Sequence, residues 1–183
     1  MATDDLSLLD EVFPHYDISA SYSIRVRASD ACVYKVLQRG IPTGAVTRLL
    51  MTLRRLPRFF QRGECSPVEQ PFYRLKQLEN RELVVGIIGQ FWRPVATVVP
   101  INSLDEFLEF HKEGYCKAAL NLRIVPSSSG ECVITTETRV LSFGRAKKNF
   151  AGYWQLIRPF SGIIRLEILR KIKREAESFP SSN

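Results

Sequence analysis

Two histidines, four cysteines, a tryptophan–arginine pair and a few closely spaced carboxylates are the residues of this chain best suited to chemistry. His111 precedes Lys112 and Glu113, and a histidine that titrates near neutrality can act as a general base. It falls at the end of an expected strand, beside a turn, so it reads as a solvated histidine. His15, next to Tyr16, reads the same way. Cys32, Cys65, Cys116 and Cys132 are widely spaced and contain no CxxC, so no metal site is expected. Glu106 and Glu109 share a face only on a helix; on a strand they point to opposite sides. The chain has no GxSxG, HExxH, Walker loop or GxGxxG, and Gly86-Ile87-Ile88-Gly89 lacks the strand–turn–helix setting of a phosphate cradle. Trp92-Arg93 leaves two readings open. Arg93 anchors an acidic ligand group or stacks on an aromatic ring, or it is a surface arginine beside a structural tryptophan. Tyr22, Tyr73, Tyr115 and Asn121 are the remaining polar groups that could orient a ligand.

No catalytic set emerges, so the elements that would position a ligand carry the argument. Phe150, Tyr153, Trp154, Ile157, Ile164, Ile168, Ile172 and Ala176 recur every three or four residues, an apolar stripe on one long helix beginning near Arg145. Pro159 lies within it. Either the helix bends there, with its first half acting as a gate, or Pro159 opens the main helix and residues 145–158 form a separate one.

Upstream, Ala20, Tyr22, Ile24 and Val26 alternate with polar residues, the pattern of a half-buried strand. Ser29 and Asp30 cap a short helix over 31–38. A second helix is expected over 45–56, ended by Pro57. Strands are then expected over 72–79, 81–92, 104–111, 115–125 and 131–143, with a loop or short edge strand between Pro94 and Pro100. The 81–92 run is almost wholly apolar, as in a strand buried on both faces or facing a cavity. Gly86 and Gly89 read as places for a bulge or bend. Consecutive strands with short turns and segregated helices make an α+β protein.

The length of 183 residues fits one domain with a substantial core. The expected division is a flexible arm over 1–14, a domain over 15–178 and a tail over 179–183. No apolar run approaches the roughly 18 to 20 residues that span a bilayer. Residues 1–10 are acidic and lack an apolar segment after a basic start, so no secretory signal is expected. Free thiols and a cytoplasmic location follow as expectations. The net charge of +7 is concentrated in two clusters. One is Arg48, Arg54, Arg55, Arg58 and Arg62; the other is Arg158, Arg165, Arg170, Lys171, Lys173 and Arg174. Each reads as the solvated back of a helix or as attraction to an anionic partner. The first lies among Leu49, Leu50, Leu53, Phe59 and Phe60. Arg48, Arg54, Arg55 and Arg58 could therefore dock on an anionic membrane. Nucleic acid is not expected, because the basic residues lack a recognisable platform or motif.

Two segments, Tyr22-Ser23-Ile24-Arg25-Val26-Arg27-Ala28-Ser29 and Thr135-Thr136-Glu137-Thr138-Arg139-Val140, resemble the START-like, birch-pollen-allergen-like superfamily, also called SRPBCC. Gly89-Gln90-Phe91-Trp92-Arg93-Pro94 and Tyr153-Trp154-Gln155-Leu156-Ile157-Arg158-Pro159 look like an uncharacterised bacterial branch of it. The resemblance covers roughly residues 16–177. It implies a helix-grip fold: a curved antiparallel sheet of six to seven strands wrapped around a long C-terminal helix, with two short helices after the first strand. It also implies an apolar cavity between sheet and helix. Trp154, Ile157, Ile164 and Ile168 are expected to line it from the helix. Val85, Ile87, Phe91, Phe110, Leu120 and Leu122 are expected from the strands, with Trp92 and Arg93 near its mouth. The same residues could instead form a solid core, and a one-residue strand slip would exchange the lining set for its neighbours. Binding or transport of a hydrophobic small molecule or lipid, without a cofactor, is the expectation. A cyclase or dehydratase acting on a polyketide-like substrate is the alternative, since such scaffolds host both. A protein with a closed interior is a third.

Overall fold

The computed structural model describes residues 6–40, 72–93, 97–127 and 130–179. The alternation from Ala20 to Val26 produces strand β1 (Ile18–Val26), whose residues switch between outside and inside one by one. After helix α2 (Asp30–Gln38) come β2 (Tyr73–Leu78), β3 (Glu82–Gln90) and β4 (Thr97–Val99). Strands β5 (Cys116–Pro126) and β6 (Cys132–Ser142) complete one antiparallel sheet. The strand order is β1-β6-β5-β3-β2, and β4 pairs with the end of β3 beyond β2. The register aligns side chains in rows. Val85 faces Leu120, Leu120 faces Thr138, and Thr138 faces Ala20, so these four share one face.

That inner face is covered by helix α4 (Ala146–Glu177), which runs for 32 residues, a length of about 48 Å. It is one uninterrupted helix through Pro159, so the reading of two separate helices is set aside. Its C-terminal half is the better anchored. Leu169 and Ile172 are fully buried with Val26, Leu122, Ile124 and Ile134 of the sheet and Val33 and Leu37 of α2. Each such side chain contributes about 1.5–3 kcal/mol. Ser29 caps α2 by accepting from the Cys32 amide. The second expected helix, 45–56, with Arg48, Arg54, Arg55 and Arg58, lies outside the described residues.

The outer face carries two corrections. The N-terminal arm is docked: α1 (Leu8–Val12) places Leu9 and Val12 in a core with Val84, Ile88 and Ala119. Both ends of this short helix are tied down. Its N-terminus meets Glu82, whose carboxylate accepts from the Ser7 hydroxyl at 2.5 Å and the Leu8 amide at 2.9 Å. Asn121 donates to the same carboxylate at 2.7 Å. At the C-terminal end, Arg139 donates to the carbonyls of Leu9 and Phe13 and to Asp10. An acidic group at a helix start and a cation at its end complement the helix dipole. The second correction concerns residues 104–111, expected as a strand. They form helix α3 (Leu104–Glu109). The Ser103 hydroxyl accepts from the Glu106 amide at 3.1 Å, while Glu106 reaches back to the Asn102 amide at 2.8 Å. This reciprocal cap outweighs the apolar alternation.

Gly86 and Gly89 do not mark a bulge in β3; the register shift lies in β2, between Arg74 and Lys76. They permit close approach instead. A Cβ on Gly86 would lie 2.6 Å from Leu75 and 2.9 Å from Phe107, and one on Gly89 would lie 2.4 Å from the Thr97 carbonyl oxygen. Backbone cannot yield as a side chain can. Gly89→Ala is therefore expected to destabilise the protein by about 1–3 kcal/mol, read as a lower urea midpoint; an unchanged midpoint would show that β3 and β4 do not approach this closely.

Candidate functional site

The inner face packs tightly at its two ends. At the α2 end lie Leu122, Ile124, Ile134, Leu169 and Ile172. At the other, Phe91, Trp92, Ala118 and Val140 pack with Phe150, Tyr153 and Trp154. Phe150 is the hub there: its ring lies 6.4 Å from Phe91 and 6.3 Å from Trp154. Between the ends the sheet offers the row Val85, Leu120, Thr138, Ala20, with Ile87 beside it. From α4 come Ile157, Ser161, Gly162, Ile164 and Arg165. Val85, Ile87, Leu120, Ile157 and Ile164 join none of the three core clusters of described residues. Leu120 and Ile87 stay half-exposed although β5 and β3 are interior strands. Their neighbours facing outward, Ala119 and Ile88, are each 1% exposed. The outer face is sealed; the middle of the inner face is not.

Arg165 lies where the sequence reading of a solvated helix back does not hold. Grouped with the solvated basic cluster, it is instead turned onto the sheet. Its Nη1 donates to the Thr138 hydroxyl and its Nε to the Ser161 hydroxyl at 3.4 Å. Burial pushes its pKa down to about 10, and Tyr22 acts in the opposite direction. The guanidinium still carries its charge at neutral pH. No carboxylate among the described residues pairs with it. Gly162, one turn earlier, makes room for Tyr22: a Cβ there would come 2.6 Å from the Tyr22 hydroxyl oxygen. The signal was present in the spacing. Arg165 lies three residues before Ile168 and seven before Ile172, within the stripe rather than behind it.

Most of the residues named as lining lie on the inner face or on the helix that covers it. Val85, Ile87, Leu120 and Leu122 share the inner face, so the strand phase is as expected, with Leu122 committed to the packed α2 end. Trp154, with Phe91 and Trp92, closes the far end, while Ile168 flanks the α2 cluster. Arg93 does not join them: β3 stops at Gln90, and Arg93 is exposed in the following turn. Phe110 does not either. It follows α3 and packs on Tyr115 and Phe143, with the outer-face cluster. Asn121 and Tyr73 are engaged on the outer side, by Glu82 and by the Asn102 carbonyl. Glu106 and Glu109 are helical after all, but exposed. His15 and His111 are exposed, the latter ring against Phe143.

Two buried thiols sit at the packed ends. Burial pushes Cys116 up to about 11, against a hydrogen bond to Ser142 that lowers it. Burial also pushes Cys132 up to about 11, with Asp30 and Cys32 adding to it. Protonated thiols of this kind are poor nucleophiles and poor metal ligands at neutral pH. Among the described residues no cluster of metal-binding side chains occurs, and no helix is long and apolar enough to cross a membrane.

A sheet with a long C-terminal helix across its inner face is the arrangement implied by the START-like resemblance. No family model matches the chain, and no curated protein matches it either. Among solved structures, it is similar to norcoclaurine synthase from Thalictrum flavum in complex with dopamine and hydroxybenzaldehyde: 12% identity, TM-score 0.40, covering 90% of this chain and 89% of that one. A point mutant of the same synthase with a transition-state analogue gives 13% identity and a TM-score of 0.38, covering 87% and 93%. A conserved protein from Geobacillus kaustophilus gives 11% and 0.38, covering 87% and 95%. No activity is carried over from these similarities.

In the folded protein at pH 8, Cys116 and Cys132 are expected to resist an aromatic disulfide reagent and to react fully in guanidinium. Peptide mapping of the labelled protein checks this; rapid native labelling at either position would show that its end of the inner face is open.

Proposed function

We propose that the chain binds a hydrophobic small molecule or lipid between the sheet and α4. The observation that supports this most is the half-exposure of Leu120 and Ile87, on interior strands beneath a helix whose apolar clusters of described residues lie towards its two ends, with the Arg165–Thr138 and Gly162–Tyr22 contacts between them. Val85, Leu120 and Ile87 on one side and Ile157 and Ile164 on the other supply an apolar lining. A bound apolar ligand gains about 25 cal/mol for each Å² it removes from water, and a few polar groups fix its orientation. The cyclase or dehydratase reading needs an acid and a base converging on the substrate. The described residues of the unpacked stretch bring Tyr22 and Arg165 there but no carboxylate, which favours binding over turnover. The possible membrane contact through Arg48, Arg54, Arg55 and Arg58 rests on residues outside those described.

The test uses the neutral fluorescent probe N-phenyl-1-naphthylamine. Saturable binding is expected, and Leu120→Trp, which fills the space, is expected to weaken it at least about tenfold with little change in Tm. An interior that is already filled would give the reverse pattern: no probe binding, and a Leu120→Trp variant destabilised by overpacking.

A further inference from the structure

Two arginines lie against the sheet in contrasting ways, Arg139 buried and Arg165 half-buried. Arg139, on the outer face, is 6% exposed and held by Asp10 at 2.5 Å, by Glu137 at 2.7 Å and by two backbone carbonyls. Its charge is neutralised and its fork of donors is used, as a structural arginine requires. Arg165, on the inner face, is held by two hydroxyls, those of Thr138 and Ser161. Hydroxyls satisfy N–H donors but cancel no charge. No carboxylate among the described residues pairs with it, and a cation drawn partly out of water without a counter-ion is costly. On α4, where an apolar residue would extend the stripe, that cost needs a reason.

We infer that Arg165 is the anchor for an anionic group on the ligand, so the molecule bound between sheet and α4 is an amphiphile with a carboxylate or similar anionic head. This rests on the binding function proposed above and names the ligand class for it. The surroundings fit the role. Guanidinium presents a planar fork that matches a carboxylate. A hydroxyl that accepts from Arg165 keeps its own proton to donate, so Thr138 and Ser161 can turn toward the same anion. Tyr22, seated against Gly162 one turn away, can add a further donor. The apolar body then runs along α4 from Arg165 toward Ile157, about 12 Å by helical rise. On the sheet side it passes Leu120, Val85 and Ile87. Arg93, exposed beyond the end of β3, is not needed for this recognition.

The matched pair N-phenyl-1-naphthylamine and 1-anilinonaphthalene-8-sulfonate tests this, since they share one aromatic body and differ by the sulfonate. The wild-type protein is expected to bind the anion about tenfold more tightly than the neutral probe. Arg165→Met is expected to remove that preference while leaving the neutral probe's affinity intact, and Arg165→Lys to keep part of it. Arg158→Met, which removes an exposed charge from the same helix, is expected to leave both affinities unchanged and so controls for the net charge of +7. Decanoate should displace the anionic probe where decanol does not. Equal affinities in the wild type, a preference that survives Arg165→Met, or one that Arg158→Met also abolishes would each overturn the anchor and leave the apolar site standing. Failure of either probe to bind at all would overturn the site itself. Thermal unfolding of each variant verifies that it is folded, and a folded Arg165→Lys keeps the test decisive should Arg165→Met unfold.

Discussion

Leu169 and Ile172 are wholly enclosed by β1, β5, β6 and α2, and this contact fixes where every other residue of α4 must lie. A helix is stiff over tens of ångströms. Once its C-terminal half is seated, its N-terminal half can only pass over the sheet at a height set by that seat and by the aromatic cluster around Phe150. Between the two supports the facing residues are small or polar, and Arg165 and Tyr22 span the distance to Thr138 and Gly162. Ser161 and Gly162 occupy inward positions on α4, and Ala20 and Thr138 occupy the sheet. Apolar packing there is lighter than at either support.

The outer face shows the opposite solution. There Glu82, Asn121 and Ser7 satisfy one another, and Arg139 meets two carboxylates and two carbonyls. Lys117, 3% exposed, lies among the rings of Phe13, Phe107 and Phe143 and donates to the Leu108 carbonyl. Desolvation lowers its pKa, and the rings supply part of what water would have given. Polar groups on this side are consumed by the fold. On the inner side Arg165 is held by two hydroxyls and no carboxylate among the described residues, and in this the two faces differ.

Strict alternation made β1 and β6 legible, and a period near 3.6 made α4 legible, because each buries one continuous face. The phase of β3 and β5 was equally readable from Val85, Ile87, Leu120 and Leu122. Residues 104–111 were misread because Leu104, Leu108 and Phe110 share one face of a strand just as Leu104, Phe107 and Leu108 share one face of a helix, and the decisive signal was the Ser103–Glu106 cap, not hydrophobicity. The N-terminal segment was taken for a free arm because its acidic residues look solvated; their partners, Arg139 and Lys76, lie far along the chain. Arg165 was missed for a similar reason. Charge type left open a solvated back or an anionic partner for the whole cluster, while helical position turned this one residue inward.

The pairing of β1 with β6 has a consequence in time. The strand made from residues 18–26 waits for residues 132–142 before it has a partner in the sheet. Its edge stays open until residues 132–142 have been made, and contacts so distant in sequence are slow to close. Helix α4 follows immediately after β6, so the sheet acquires its last internal strand and its cover together. The covered inner face therefore forms only once residues 132–177 are present, and a chain stopped short of them does not present it.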